Sequence, residues 1–380
     1  MTIAFIGQKG IPATSGGVER YVESLAVRLA RAGHQTVVYT RPNYTASAAL
    51  DYRGVRLVSL PIIATKNLEA ISHCWLATWQ ACRQNVEVIH YQTIGAALTI
   101  WLPRLWRPKI KIISTLQSRD YEHGKWRWPA RLALRLGERL MCWLSDEVIV
   151  VTAEMVNYVQ TKYKRSAHYI PNGAETVTAS GSDCLANYGL TPGGYILSVS
   201  RLVPHKGLLT LIKAYRQLNT DCRLVIVGGG AYTDYYIQEL KAAARGNGNI
   251  IFTGPLFGPA LAQLYAHAAV FVQPSESEGL SLSLLEAMSA SRPVLVSDIA
   301  ENLAAVQETG FTFRCRDEDD LAGRLKFILS HPELATAKGQ AARQRVEQEF
   351  NWDKIVARIS QLYHTDHKAK LLFRKSTSVA

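Results

Sequence analysis

A single rhythm runs the length of this chain: a short run of β-branched residues, a turn, a helical stretch, then another short run. Such repetition calls for parallel strands with helices on both sheet faces, since each helix carries the chain back before the next strand begins. Two series can be read. The first has strands near 2–7, 35–40, 55–60, 86–91, 110–115, 147–152 and 167–171. It closes at Pro171-Asn172-Gly173, and the stretch to about residue 193, rich in Ser, Gly, Asn and Thr, reads as a linker. The second has strands near 195–200, 223–228, 249–254, 269–274 and 293–298, followed by helical stretches near 317–330, 333–349 and 352–365. At 380 residues, the chain is expected to form two doubly wound α/β domains, 1–172 and 173–351, with a basic tail at 366–380. Ligands of such sheets bind beyond the carboxyl ends of the strands, so the expected site is an interdomain cleft.

Composition narrows the class. With 48% hydrophobic and 19% charged residues the chain can offset the entropy of ordering its backbone, which excludes disorder as its main state. No apolar run of about 18 residues occurs, and the opening MTIAFIGQKG lacks the cationic start and small-residue cleavage site of a secretory signal. The six cysteines form no CxxC pair and read as small hydrophobes of a reduced compartment. A cytoplasmic location is expected, peripheral on the inner face of the membrane if the basic region described next docks there.

The net charge of +12 is uneven: residues 1–172 hold 22 basic and 11 acidic side chains, residues 173–380 hold 21 and 20. Residues 101–143 alone carry ten basic groups, three acidic ones and five of the eight tryptophans. Arg127, Arg131, Arg135 and Arg139 recur every four residues beside Leu132, Leu136 and Leu140, as on one side of a helix. An anionic membrane surface suits that helix, and an ordinary solvated helix over a core is the alternative. Nucleic acid is not an expected partner, because no recognised nucleic-acid module is present.

Three segments carry chemistry. After the first strand, Gly16 and Gly17 open a helical stretch, where backbone N–H groups and the helix N-terminus favour an anion such as phosphate; a plain tight turn is the alternative. The spacing is not GxGxxG, and the second strand ends in Tyr39-Thr40-Arg41 without an acidic residue, which argues against a dinucleotide. After the first strand of the second series, Arg201 and Lys206 lie on a loop entering a helix, placed to clamp a diphosphate. The third segment runs from Pro274 through Glu278, Gly279 and Leu280 to Glu286 and Met288. Glu286 sits among apolar helix neighbours, and a buried carboxylate needs partners, which a ribose diol supplies. Glu278 and the N–H groups of Gly279 and Leu280 are placed to meet a hexose and a phosphate; a structural ion pair is the alternative for either glutamate.

These segments resemble the retaining glycosyltransferases of family 4, which have the GT-B fold of two facing Rossmann-like domains. The resemblance covers nearly the whole chain: Gly16-Gly17-Val18-Glu19-Arg20 is similar to the family's glycine loop, Arg201 to Lys206-Gly207 to its diphosphate clamp, and Glu278 to Glu286 to its E-x7-E motif. It implies that Arg201 and Lys206 hold the donor diphosphate, Glu278 contacts the transferred sugar and Glu286 holds the ribose. It also implies an acceptor-side first domain, a nucleotide-sugar-binding second domain, and a last helix from Phe350-Asn351-Trp352 that crosses back to brace the first. The implied donor is a nucleoside diphosphate sugar; the expected acceptor is a carbohydrate or, from the tryptophan and arginine surface, a polyprenyl-linked oligosaccharide of surface polysaccharide assembly, and no metal or other cofactor is expected, since the ten histidines form no HxH or HExxH arrangement.

One position departs from that pattern. Where the family usually has a histidine facing the donor sugar, Ser114-Thr115-Leu116-Gln117 places Gln117, which exchanges hydrogen bonds but carries no proton. Retaining transfer of this type is thought to run on one face of the donor, with the leaving diphosphate deprotonating the acceptor, so Arg201 and Lys206 would supply the main stabilisation. Two other readings stand beside transfer: a nucleotide-sugar epimerase of the same fold, and a degenerate binding scaffold. Asp317-Glu318-Asp319-Asp320 has the DxD spacing of metal-bound nucleotide sugars but opens a helix, where acidic residues offset the dipole. His90 ends a strand and either lines the acceptor side or sits satisfied in the core.

Overall fold

The computed structural model describes residues 1–14, 16–44, 50–65, 68–119, 121, 128–178, 181–230 and 234–365. It has two compact units: Met1–Asn172 with the chain from Trp352 onward, and Gly173–Asn351. The tail at 366–380, Trp126 and Arg127 lie outside the described residues.

Unit 1 is built on β1 (Thr2–Ile6), β2 (Gln35–Thr40), β3 (Asp51–Tyr52), β4 (Val55–Ser59), β5 (Val88–Tyr91), β6 (Lys111–Leu116), β7 (Glu147–Val150) and β8 (His168–Tyr169). They form one sheet in the order β3-β4-β2-β1-β5-β6-β7-β8, parallel except for the antiparallel pairing of β3 with β4. Its helices are α1 (Gly17–Arg31), α2 (Glu69–Arg83), α3 (Trp101–Trp106), α4 (Trp128–Leu144) and α5 (Ala153–Tyr163). The central strands are buried along nearly their whole length, as near-continuous apolar runs require when helices cover both faces.

Unit 2 holds β9 (Tyr195–Val199), β10 (Arg223–Val227), β11 (Ile250–Gly254), β12 (Val270–Gln273), β13 (Val294–Ser297) and β14 (Phe311–Phe313). All pair in parallel, in the order β11-β10-β9-β12-β13-β14. With them go α6 (Asp183–Ala186), α7 (Leu208–Arg216), α8 (Asp234–Ala244), α9 (Gly258–His267), α10 (Leu282–Ser289), α11 (Ala300–Val306), α12 (Glu318–Ser330) and α13 (Pro332–Glu349). Asp317 caps α12 by accepting the N–H of Asp320 at 2.9 Å, the role its place in the sequence called for. The two strand orders are both doubly wound, and the fold is GT-B.

The last helix, α14 (Trp352–His364), returns to unit 1. Trp352, Ile355, Ile359 and Tyr363 join Tyr21, Val22 and Leu25 of α1 in one core cluster. The stretch after Gly173 is not a linker. Ala174 pairs with Asn351 through a parallel bridge, Cys184 N–H donates to Gln263 Oε1 at 2.9 Å, and α6 packs on α9. Ser, Gly and Asn there meet turn and cap geometry inside unit 2, which composition alone does not separate from a flexible connector.

His90 belongs to the core. Its ring nitrogens bond the hydroxyls of Tyr363 and Thr115, each at 2.7 Å, and burial pushes the imidazole down to about 3. No acceptor-facing role remains for it.

Candidate functional site

The strand order of unit 2 reverses between β9 and β12, and the expected donor residues leave from those two strand ends. After β9, Arg201 is exposed and makes no ion pair among the described residues, while the chain tightens into a short turn at Pro204–Lys206. Gly207 then takes a left-handed conformation, φ 66°, to start α7, and a Cβ there would lie 1.9 Å from the Pro274 carbonyl oxygen. Gly228, at the end of β10, comes as close to Ser200: a Cβ would meet its carbonyl oxygen at 1.8 Å. Glycine at these two positions lets three strand-end loops pack against one another.

After β12, Glu278 reaches back to the clamp loop. Its carboxylate forms an ion pair with Lys206 Nζ at 2.5 Å and accepts the Ser275 hydroxyl at 2.6 Å. Burial would raise its pKa, but the adjacent Lys206 ammonium, the hydrogen bonds from Lys206 and Ser275, and nearby His205 together hold the carboxyl below the usual range. The Glu276 N–H donates to the His205 carbonyl at 2.8 Å, fixing one loop on the other. Ser281 caps α10, and its hydroxyl donates to Gln273 Oε1 at 2.6 Å; Gln273 in turn donates to Asn302 at 2.7 Å. Gly279 and Leu280 lie between Glu278 and that cap. Glu286 follows on α10 and is buried.

The structure therefore joins Lys206, Glu278, Gly279 and Leu280 in one loop pair, with Arg201 at its exposed edge and Glu286 on the helix that follows. The ion pair that stood as the alternative for Glu278 is present, and its partner is the clamp lysine itself. Sequence reasoning missed Ser275, the ion pair of Glu276 with Arg316 at 2.6 Å, and the Gln273–Asn302 support. Their partners are 29 to 40 residues away or reached through hydroxyls, so no local spacing reveals them.

In unit 1, Gly16 is the N-cap of α1 with φ 91°, and Gly17 is its first residue. A Cβ on Gly16 would lie 2.0 Å from Glu19 Oε2. Glu19 accepts the Lys9 N–H at 3.0 Å and Glu23 the Ala13 N–H at 2.7 Å, so two carboxylates of α1 tie down the glycine loop. The first negative charge at this turn is the protein's own. Gln117 follows β6, and its Nε2 is buried without a hydrogen-bond partner.

The basic region has an unusual surface. On α4, Leu132 and Leu136 beside the arginines face outward, with Leu132 61% and Trp128 77% exposed, Leu140 is half-buried, and Leu134, Met141 and Cys142 face the core. Leu105 and Trp106 of α3 are exposed, as are Ile71, Trp75 and Trp79 of α2. The three helices are neighbours, with Trp75 and Trp101 ring centroids 5.6 Å apart. Among the described residues no helix is long and apolar enough to cross a membrane.

Residues 190–345 match the family model of glycosyl transferases group 1, and residues 16–173 match that of the glycosyl transferase 4-like domain. The chain belongs to the group 1 glycosyltransferases. Among curated members it is 25% identical over 394 residues to the GDP-mannose-dependent alpha-(1-6)-phosphatidylinositol monomannoside mannosyltransferase of Mycobacterium tuberculosis, covering 94% of this chain and 97% of that one. It is 30% identical over 215 residues to the O-antigen chain mannosyltransferase B of Escherichia coli, 54% of each. Among solved structures, sucrose-phosphate synthase from Thermosynechococcus elongatus aligns with a TM-score of 0.82 at 25% identity, covering 98% of this chain and 99% of that one. Anabaena HepE in complex with UDP-glucose shares the fold, with a TM-score of 0.80 at 18% identity over 95% of this chain and 99% of that one. For a group 1 glycosyltransferase, the two matched stretches divide much as the two units do.

Proposed function

We propose that this protein is a retaining, metal-independent glycosyltransferase that moves a sugar from a nucleoside diphosphate sugar to a carbohydrate or polyprenyl-linked acceptor in surface polysaccharide assembly. The observation that carries the reading is the Lys206–Glu278 pair at the strand-order reversal of unit 2, with Arg201 exposed beside it. Arg201 and Lys206 bring two fixed cations to the leaving diphosphate, and Glu278 holds the lysine in place while its second oxygen meets the sugar. Glu286 takes the ribose hydroxyls, and Gly279 and Leu280 offer backbone N–H groups to the phosphate. In unit 1, Gly16 makes room for the Glu19 carboxylate that holds the glycine loop, the Gly16–Gly17 turn offers its backbone to the donor, and Gln117 hydrogen-bonds the transferred sugar.

In the reaction the bond from the anomeric carbon to the diphosphate oxygen breaks. The acceptor hydroxyl oxygen bonds that carbon on the same face, and its proton passes to the departing diphosphate. A neutral Gln117 is compatible with this course, since no protein base is required. The mannosyltransferase and HepE names support a nucleotide-sugar donor. The exposed tryptophans, leucines and arginines of α2, α3 and α4 support docking on an anionic bilayer, which would bring a lipid-linked acceptor to unit 1.

The test is turnover by purified protein with UDP-glucose and GDP-mannose and synthetic polyprenyl-linked glycosides, with and without EDTA. The expected result is transfer with the donor's anomeric configuration kept and no loss in EDTA. Donor binding without turnover, relieved by Gln117→His, would replace this reading with that of a scaffold.

A further inference from the structure

Beneath the loop that carries Glu278 runs a chain of buried amides and hydroxyls, and its centre is Asn302 on α11. Gln273 is the last residue of β12 and Ser297 the last of β13, which is its parallel neighbour in the sheet. Asn302 joins the two strand ends. Its Oδ1 accepts the Gln273 Nε2–H at 2.7 Å, and its Nδ2 donates to the Ser297 hydroxyl at 3.0 Å and to the Ser297 carbonyl at 3.3 Å.

Two arms leave from that amide. In the first, Gln273 Oε1 accepts the Ser281 hydroxyl at 2.6 Å, and Ser281 Oγ accepts the Leu284 N–H at 3.4 Å as the cap of α10. In the second, the Ser297 hydroxyl donates to the Ser275 carbonyl, and the Ser275 hydroxyl donates to Glu278 Oε1 at 2.6 Å. Gln273, Ser275, Ser297 and Asn302 are all buried. An apolar side chain at 302 would fill a similar volume without desolvating an amide, so stability alone does not call for asparagine there. What the network supplies is geometry. A buried polar chain in which every member is paired admits one arrangement, and this one ends at Glu278 on one side and at the first turn of α10 on the other.

We infer that Asn302 is a positioning residue that holds Glu278 and the start of α10 at a fixed spacing, so that one buried amide sets both the sugar contact and the phosphate and ribose contacts of the donor. What those two ends touch rests on the glycosyl-transfer reading; the holding of Glu278 does not.

The experiment has two parts, and the first needs no substrate. Urea denaturation of Lys206→Met, Glu278→Gln and the double variant measures the coupling between Lys206 and Glu278, first in the wild-type chain and then with Ser297→Ala or Asn302→Leu added. The coupling should fall by about half or more in both backgrounds, and unchanged coupling would overturn the inference. Ser297→Ala removes a single hydroxyl, so it gives the answer if Asn302→Leu does not fold. The second part measures kcat and donor KM with UDP-glucose and GDP-mannose. Ser297→Ala, which cuts the arm to Glu278, should lower kcat about tenfold and leave KM, while Ser281→Ala, which cuts the arm to α10, should raise KM about tenfold. Asn302→Leu should do both. Losses in all three variants that follow their melting temperatures, with no such division between kcat and KM, would make Asn302 a residue of the fold alone and overturn the inference. Coupling lost as expected in a wild type that turns over neither donor would remove the transfer reading and leave Asn302 as the residue that holds Glu278.

Discussion

Lys206 and Glu278, 72 residues apart, meet as an ion pair whose side chains are both largely buried. Removing one member of such a pair leaves the other's charge stranded, which typically costs about 3–5 kcal/mol, whereas removing both is far less harmful. Lys206→Met is therefore expected to destabilise unit 2 strongly, and Lys206→Met with Glu278→Gln to recover most of the loss. A double-mutant cycle by urea denaturation checks this; additive effects would show that the two do not interact. Both single variants should lose donor turnover by at least about 100-fold, the scale of a lost electrostatic contact to a leaving group.

The acid side of the stability curve should be steep. Above pH 6.5, His90 is neutral folded and unfolded; below it the unfolded chain takes up a proton that the folded chain refuses until about pH 3, so stability falls across that window. His73, buried and with Arg41 nearby, is pushed down to about 4 and adds to the same slope. Glu278 acts lower: its carboxyl is held below the ordinary 4.5, so the stability it contributes is present above that value and lost as pH falls through its folded pKa. Chemical denaturation from pH 8 to 3 should show the decline, and His90→Gln should flatten its upper part. An unchanged slope in that variant would contradict the burial of a neutral imidazole.

Gly207→Ala tests the packing of the clamp loop on the loop after β12. A left-handed backbone costs an L-residue roughly 1–2 kcal/mol, and the contact with the Pro274 carbonyl adds to that. The expected result is a melting temperature lower by roughly 5 °C or more, with a matching loss of donor affinity. Gly193→Ala, where a Cβ meets nothing within 4 Å, is the control for left-handed strain alone, since its φ is 75°.

The segments legible in the sequence were those whose signal is local. The β-branched runs placed β1, β2, β9 and β12, and the turn-to-helix segments after β9 and β12 marked Arg201, Lys206 and the two glutamates. What escaped was set by distance or by brevity. β14 is three residues, Phe311–Phe313, too short to show a period, and the two-residue β3 shows none at all. The segment after Gly173 has a loop's composition and a structured unit's contacts. His90 lies one residue before the end of its strand, near where a ligand residue would stand, yet its partner Tyr363 is 273 residues away on α14, and no reading of neighbours could supply it.

The arginine helix gives a prediction of its own. Each basic group near an anionic leaflet contributes about 1 kcal/mol, so replacing Arg131, Arg135 and Arg139 by Gln should weaken partition onto phosphatidylglycerol vesicles by about 100-fold. Cosedimentation with such vesicles, with phosphatidylcholine vesicles as the comparison, measures it. Equal partition of wild type and variant would remove the bilayer from the proposed function.

The return of α14 to unit 1 sets an order for biosynthesis. Gly173–Asn351 is one continuous stretch and can fold as soon as it clears the ribosome, but the earlier-made residues 1–172 must wait for Trp352, Ile355, Ile359 and Tyr363 to fill their core. The half translated first is thus the half finished last, and a premature stop just before Trp352 would damage the opposite end of the polypeptide from the one it shortens.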